Sequence, residues 1–268
     1  MLAIAAVATT AGAQPAGKAP AKPPAAKKPS PLAGDVAALL GTDVEAAARA
    51  ATTLGGSPSP AAHDALLDAL ALGLPPAVAV PAFAALVQHP APPDVTALRR
   101  YAGHRDPAVR SAALGALAGY PDPAARRAIV GGLSDRVPAV RAAAAAAAGK
   151  GRVRDAVEPL LALLALGEEA AARGLAQMAD PDLARKIADQ YGKVPDASLA
   201  LCLGFVLKRA DFGPDPARVE IVRALSKIQD RAAYAALSEY LEQSPKTPAR
   251  PSRQEAQMIV DARAGGAR

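Results

Sequence analysis

The run Asp106-Pro107-Ala108-Val109-Arg110-Ser111-Ala112-Ala113, continuing through Ala116-Leu117-Ala118-Gly119, comes back further along the chain. It reappears as Val137-Pro138-Ala139-Val140-Arg141-Ala142-Ala143, ending in Ala147-Ala148-Gly149. Val109 and Val140 stand 31 residues apart, and Arg110 and Arg141 keep the same spacing. A period of that size, built from helix signals, marks a stack of repeated helix pairs.

Each unit has a physical logic. Asp106 reads as a helix cap and Pro107 as the first helical residue, where a missing N–H costs nothing. Val109, Ala112, Ala113, Ala116 and Leu117 then fall on one helical stripe, and Gly119 stops the helix. Pro121-Asp122-Pro123 starts a second helix with Ala124, Ala128, Ile129 and Leu133 on one face. One such pair cannot hide its apolar face alone and must stack on neighbours.

The residues from Asp106 to Leu117, D-x-x-V-R-x-x-A-x-x-A-L, resemble the HEAT repeats of the short, bacterial, phycobilisome-lyase-like type. Asp135 to Ala147 keeps the Val-Arg pair, carries two extra residues before it and lacks the Leu. The resemblance implies an all-α fold, a HEAT-like α-solenoid or α-α superhelix. It implies no particular chemistry, since its members include scaffolds, adaptors and a few enzymes. In similar repeats the Asp before the second helix and the Arg within it form ladders between neighbours. By that resemblance Asp106, Arg110, Asp135 and Arg141 hold repeat to repeat. The alternative is that the two arginines face the groove and grip an acidic partner.

Composition agrees with the fold class. The chain is 51% hydrophobic but only 3% aromatic, with no Trp, so its core must be built from Ala, Leu and Val. The formal charge of +6 invites a nucleic-acid reading, but its distribution argues against one. Lys18, Lys22, Lys27 and Lys28 lie in the N-terminal segment, and residues 244–268 hold five cations and two anions. The remaining span, 32–243, is one negative charge from neutral, without the general basic footprint of a phosphate-binding surface.

In chain order, residues 1–13 read as a secretory leader. Leu2 to Ala8 is apolar and Ala11-Gly12-Ala13 fits a small-x-small cleavage pattern, although no cation precedes Lys18. The apolar run is too short to span a bilayer. Residues 14–31 form a Pro/Ala/Lys linker of extended character. The spacing then predicts about seven helix pairs over 32–243, with Pro81 kinking or shortening one helix. The alanines from Ala142 to Ala148 form the thinnest helix, suited to tight packing. Residues 244–268 form a basic tail, with a capping helix over Arg253 to Ala262.

No motif points to catalysis. His63, His89 and His104 have no ligand spacing, and Glu168-Glu169 reads as a pair matched to a helix N-terminus. Cys202 lies in an apolar run and reads as a small buried hydrophobe. The expected protein is a non-catalytic, exported scaffold or adaptor, periplasmic or in the cell envelope. It takes a protein or peptide partner on its concave face and needs no cofactor, metal or nucleic acid. The rival readings are a lyase-like or other enzyme of the repeat family, and a purely structural spacer.

Overall fold

Four helix starts in this chain are written as Asp or Ser followed by Pro. In the computed structural model, which describes residues 32–246, 248 and 250–265, Ser59-Pro60, Asp106-Pro107, Asp122-Pro123 and Asp180-Pro181 each open a helix. The aspartates work as caps. Asp106 accepts the Ala108 N–H at 2.8 Å, Asp122 accepts that of Ala124 at 2.6 Å, and Asp180 accepts that of Leu183 at 2.8 Å. Each satisfies a donor that the first helical turn leaves unpaired.

Seven helix pairs follow: α1 (Ala33–Leu39) with α2 (Val44–Gly55), α3 (Pro60–Leu72) with α4 (Pro76–Gln88), and α5 (Asp94–Ala102) with α6 (Pro107–Leu117). Next come α7 (Pro123–Gly132) with α8 (Pro138–Lys150), α9 (Val157–Ala165) with α10 (Glu169–Met178), α11 (Pro181–Ala188) with α12 (Asp196–Lys208), and α13 (Asp215–Lys227) with α14 (Arg231–Gln243). A single helix, α15 (Pro251–Gly265), ends the series. Among the described residues there is no strand, and the fold is an all-α solenoid. The expected leader over 1–13 and linker over 14–31 lie outside the described residues.

Two details differ from the sequence expectation. One helix pair has an irregular start, with Arg154–Ala156 forming a 3-10 turn before α9 begins. α4 runs through Pro81 without a break. Pro81 is the sixth residue of α4, so its ring forfeits one backbone hydrogen bond, and burial of Val78, Ala79, Ala82 and Phe83 around it holds the helix together.

The helices form two layers. The even-numbered ones pack directly on one another from α2 through α14, more closely than the odd-numbered ones do. Small residues make this possible. A Cβ built on Gly174 of α10 would lie 2.6 Å from the Ala145 carbonyl oxygen of α8, and one on Gly55 of α2 would lie 2.4 Å from the Ala85 Cβ of α4. Ala144, Ala145, Ala147 and Ala148 of α8 are all buried. The alanine run of α8 is therefore a packing device. At the far end, α15 covers α13 and α14. Ser252 is fully buried there, its hydroxyl bonded to Asp215 and 2.6 Å from the Tyr240 hydroxyl.

Candidate binding surface

The sequence singles out Asp106, Arg110, Asp135 and Arg141, and the structure divides them. Arg110 donates through Nε and Nη2 to both carboxylate oxygens of Asp135, at 2.8 and 2.9 Å. Its Nη1 donates to the carbonyls of His104 and Arg105 at 2.9 and 3.1 Å. Four of the five donors of the guanidinium are thereby used, and the side chain is only 9% exposed. Hydrogen bonding from Arg110 holds the Asp135 carboxyl below the usual carboxylate range, and the same bond raises the guanidinium's value. Arg141 repeats the arrangement one unit later. Nε donates to Glu168 at 2.8 Å, and Nη1 to the Asp135 carbonyl at 2.9 Å. Both arginines therefore join their own unit to the next, with their charge paired to an acid of that unit. Asp106 stays at its capping post, without an ion-pair partner among the described residues.

The acid that serves Arg141 is one the sequence reading gave another role. Glu168 precedes α10 without capping it through its side chain. Its carboxylate crosses to Arg141, and Glu169 bonds to Arg173 on its own helix. The 31-residue stride relates the two arginines but not their acids, so it did not give Glu168 away. Asp135 lies 25 residues after Arg110 and Glu168 lies 27 after Arg141.

A second group of cations behaves differently. A cavity of about 530 Å³ opens on the even-helix layer where α8, α10 and α12 meet, with Lys150, Arg152, Arg173, Phe205, Arg209 and Asp211 in its wall. Arg209 is a fixed wall element. It donates to the Ala176 and Ala179 carbonyls, each at 2.7 Å, and binds both oxygens of Asp211, at 3.0 and 2.8 Å. The Arg209 hydrogen bond lowers the Asp211 carboxyl below its ordinary value. Arg173 lies with its guanidinium carbon 4.5 Å from the Phe205 ring centroid, within range of a cation–π contact. Lys208 approaches the same ring at 5.4 Å. Lys150 has no hydrogen bond or ion pair among the described residues, and Arg152 reaches only Asp211, at 3.7 Å. Phe205 itself is half-buried, whereas Phe83 and Phe212 are fully buried.

The remaining titratable groups have structural partners. Asp94, fully buried, takes the Ala91 N–H and the Tyr120 hydroxyl, each at 2.8 Å, and lies 2.7 Å from His63 Nε2. Burial drives the Tyr120 phenol far above its ordinary value, with the Asp94 bond adding to the shift. The sequence reading missed Asp94; its only signal was that it stands 31 residues after His63. His104 accepts the Asp106 N–H at 3.0 Å. Cys202 is buried with its thiol pushed up to about 12 by desolvation, so it is not a thiolate at neutral pH. No group of three or more His, Cys, Asp or Glu among the described residues is placed to hold a metal, and no described helix is long and apolar enough to cross a membrane.

The model of the HEAT repeats family matches residues 91–179, the span that holds α5 to α10. No curated protein sequence matches the chain. Among solved structures it is similar to the complex of CpcE and CpcF of phycocyanin lyase from Nostoc sp. PCC7120, at 20% identity over 92% of this chain and 99% of that one, with a TM-score of 0.47. It is similar to Kap121p at 15% identity, over 86% of this chain and 29% of that one, with a TM-score of 0.48. The human deoxyhypusine hydroxylase in complex with glycerol shares 18% identity over 87% and 96% of the two chains, with a TM-score of 0.41.

Proposed function

We propose that this HEAT-repeat protein is a non-catalytic scaffold that takes a protein or peptide partner on its even-helix layer, the inner side of the stack. The observation that carries this reading is the placement of Phe205. It is the one phenylalanine of three that is not buried, and it stands beside a cavity with Arg173 and Lys208 against its ring. A half-buried aromatic flanked by cations is an anchor for recognition. The single carboxylate in the wall, Asp211, is already held by Arg209, so the site is equipped to bind rather than to make or break bonds. Moderate affinity is expected from an interface with one aromatic anchor.

The test uses the full chain immobilised against an envelope extract of its own cells. The parent is compared with the double variant Arg173→Glu, Lys208→Glu, whose helical circular dichroism must match the parent's. A specific protein retained by the parent and at least about tenfold less by the variant, roughly 1.4 kcal/mol, supports the scaffold. Equal retention moves the surface elsewhere, and retention by neither ends the scaffold reading. The same reading places the protein outside the cytoplasm, on the strength of the apolar run Leu2 to Ala8 and the Ala11-Gly12-Ala13 pattern. Cell fractionation and N-terminal sequencing test it: a periplasmic or envelope fraction starting at Gln14 is expected, and an uncut cytoplasmic chain overturns it.

A further inference from the structure

Two helices of this protein end in the same hydrogen-bond pattern with different residues at its critical position. At the end of α9 the Glu168 N–H reaches the Leu163 carbonyl at 3.1 Å and the Gly167 N–H reaches that of Leu164 at 2.9 Å. Gly167 has φ +82°, the left-handed conformation this closure requires and glycine supplies. At the end of α8 the Val153 N–H reaches the Ala148 carbonyl at 2.9 Å and the Arg152 N–H reaches that of Gly149 at 3.2 Å. The left-handed position, φ +48°, is held by Arg152, the only non-glycine residue with positive φ among those described. A long β-carbon-bearing side chain there is strained. Strain of this kind is a pointer to function when the strained residue faces a site. Arg152 lines the cavity between α8, α10 and α12.

The charge of that cavity does not close. Asp211 is bound on both oxygens by Arg209, and Arg152 reaches it only at 3.7 Å. Arg173 is held by Glu169 through Nε and Nη2, leaving Nη1 without a partner, and Lys150 has none at all. Three cationic groups thus face one opening with donors to spare, while residues 32–243 as a whole are close to neutral. Directly beside it, sharing Phe205 as a wall, a smaller and mostly apolar cavity of about 120 Å³ lies between α12 and α14, lined by Leu201, Gly204, Ala232 and Ala236, with the paired Lys208 and Glu239 at its edge. Gly204 approaches α14 so closely that a Cβ there would meet the Ala236 Cβ at 2.9 Å.

We infer that these adjoining cavities form a docking site for an acidic protein segment, and that Arg152 is kept at the glycine position for this purpose. An aspartate or glutamate enters the larger cavity among Lys150, Arg152 and Arg173, and a neighbouring small apolar side chain sits against Phe205 in the smaller one. A carboxylate suits the site better than a nucleic-acid strand. Asp211 stays in the wall and repels closely spaced phosphates, and Arg209, which joins this cavity to the next, is held by Asp211 and two backbone carbonyls. This inference rests on the scaffold reading above and names the chemistry of its partner.

The experiment displays a random dodecapeptide library against the full chain and against Arg152→Gly. That variant removes the charge while fitting the backbone, so the fold is preserved. The parent is expected to enrich peptides with Asp or Glu next to Ala or Val. Arg152→Gly should weaken the best of them about fivefold, and Lys150→Glu with Arg173→Glu more than about tenfold, with binding that declines as salt rises. Enrichment of acidic peptides that is indifferent to all three positions overturns the site while leaving the scaffold standing. Displacement of the bound peptide by inorganic phosphate or by a DNA oligonucleotide at lower concentration than by free glutamate overturns the carboxylate assignment. Parent chains that enrich no acidic motif overturn the proposal; the cations are then partners of helix ends only.

Discussion

The two ends of α8 use charge in opposite ways. At its N-terminal end the buried and half-buried charges are paired, while Arg136 stays exposed: Arg110 on Asp135, Asp135 on the Val137 N–H at 2.8 Å, Arg141 on Glu168 and on the Asp135 carbonyl. At its C-terminal end Lys150 has no partner and Arg152 holds a strained conformation for one ion pair at 3.7 Å. The same thirteen-residue helix is wired for cohesion at one end and left open at the other. In a stack whose units contact only their neighbours, the paired charges mark where stability is made. The unpaired ones mark where a partner has room to act.

The hardest way to break this comparison is to loosen the helix between its ends. Gly174→Ala places a methyl group 2.6 Å from the Ala145 carbonyl oxygen, and overpacking of that kind costs about 1–3 kcal/mol, read as a lower urea midpoint. A midpoint equal to the parent's would mean that α8 and α10 separate easily and that its two ends are not fixed relative to each other. Next in size is the paired end itself. Arg110→Ala strands Asp135 and two backbone carbonyls, and it should lower the urea midpoint more than Arg141→Ala does. The Arg110 and Asp135 side chains are 9% and 16% exposed, against 21% for both Arg141 and Glu168. The reverse order would show that burial does not set the strength of these pairs.

Acid sharpens the same contrast. The Asp135 carboxyl is held below its ordinary value by the Arg110 hydrogen bond. Its contribution is present in full above the unfolded-state value near 4 and fades as pH falls through the lower folded-state value. The stability gap between the parent and Asp135→Asn should therefore be constant from pH 7 to about 5 and narrow below about 4. A gap that persists unchanged at pH 2 would assign the loss to the Val137 cap or to packing instead.

Much of this was legible in the residues. The Val-Arg phrase and its stride gave the repeat, and the Asp-Pro pairs gave the helix starts, because capping and proline act within a few residues of themselves. The seven alanines of α8 announced close packing, since small side chains have one use in a helix interface. The binding surface was not legible. Charge summed along the chain hides a cluster drawn from Lys150, Arg152 and Arg173, which only stacking brings together. Glu168 looked like a partner for its own helix end, and its reach to Arg141 depends on how α8 and α10 sit side by side. Asp94 carried no local motif, being joined to His63 of the preceding unit and to Tyr120 just beyond α6. Left-handed backbone at Arg152 had no sequence signal either, because the position that asks for glycine holds arginine.

The smallest expected effect separates the two roles of that residue. In Arg152→Gly the charge and the strain are both removed; in Arg152→Ala the charge goes but the β-carbon, and with it the left-handed penalty, remains. Relief of that penalty, about 1–2 kcal/mol, is partly offset by the greater freedom glycine has in the unfolded chain, about 0.4–1 kcal/mol. The glycine variant should therefore be more stable than the alanine variant by about 0.5–1 kcal/mol, while both lose peptide binding equally. Gly167→Ala is the mirror test, because it imposes at α9 the strain that α8 already bears, and it should destabilise with no effect on binding. If the parent is instead clearly more stable than both variants, the arginine side chain has found packing that offsets its backbone. Arginine at the open end of α8 would then be there for stability, and the contrast between the two ends would lose its cause.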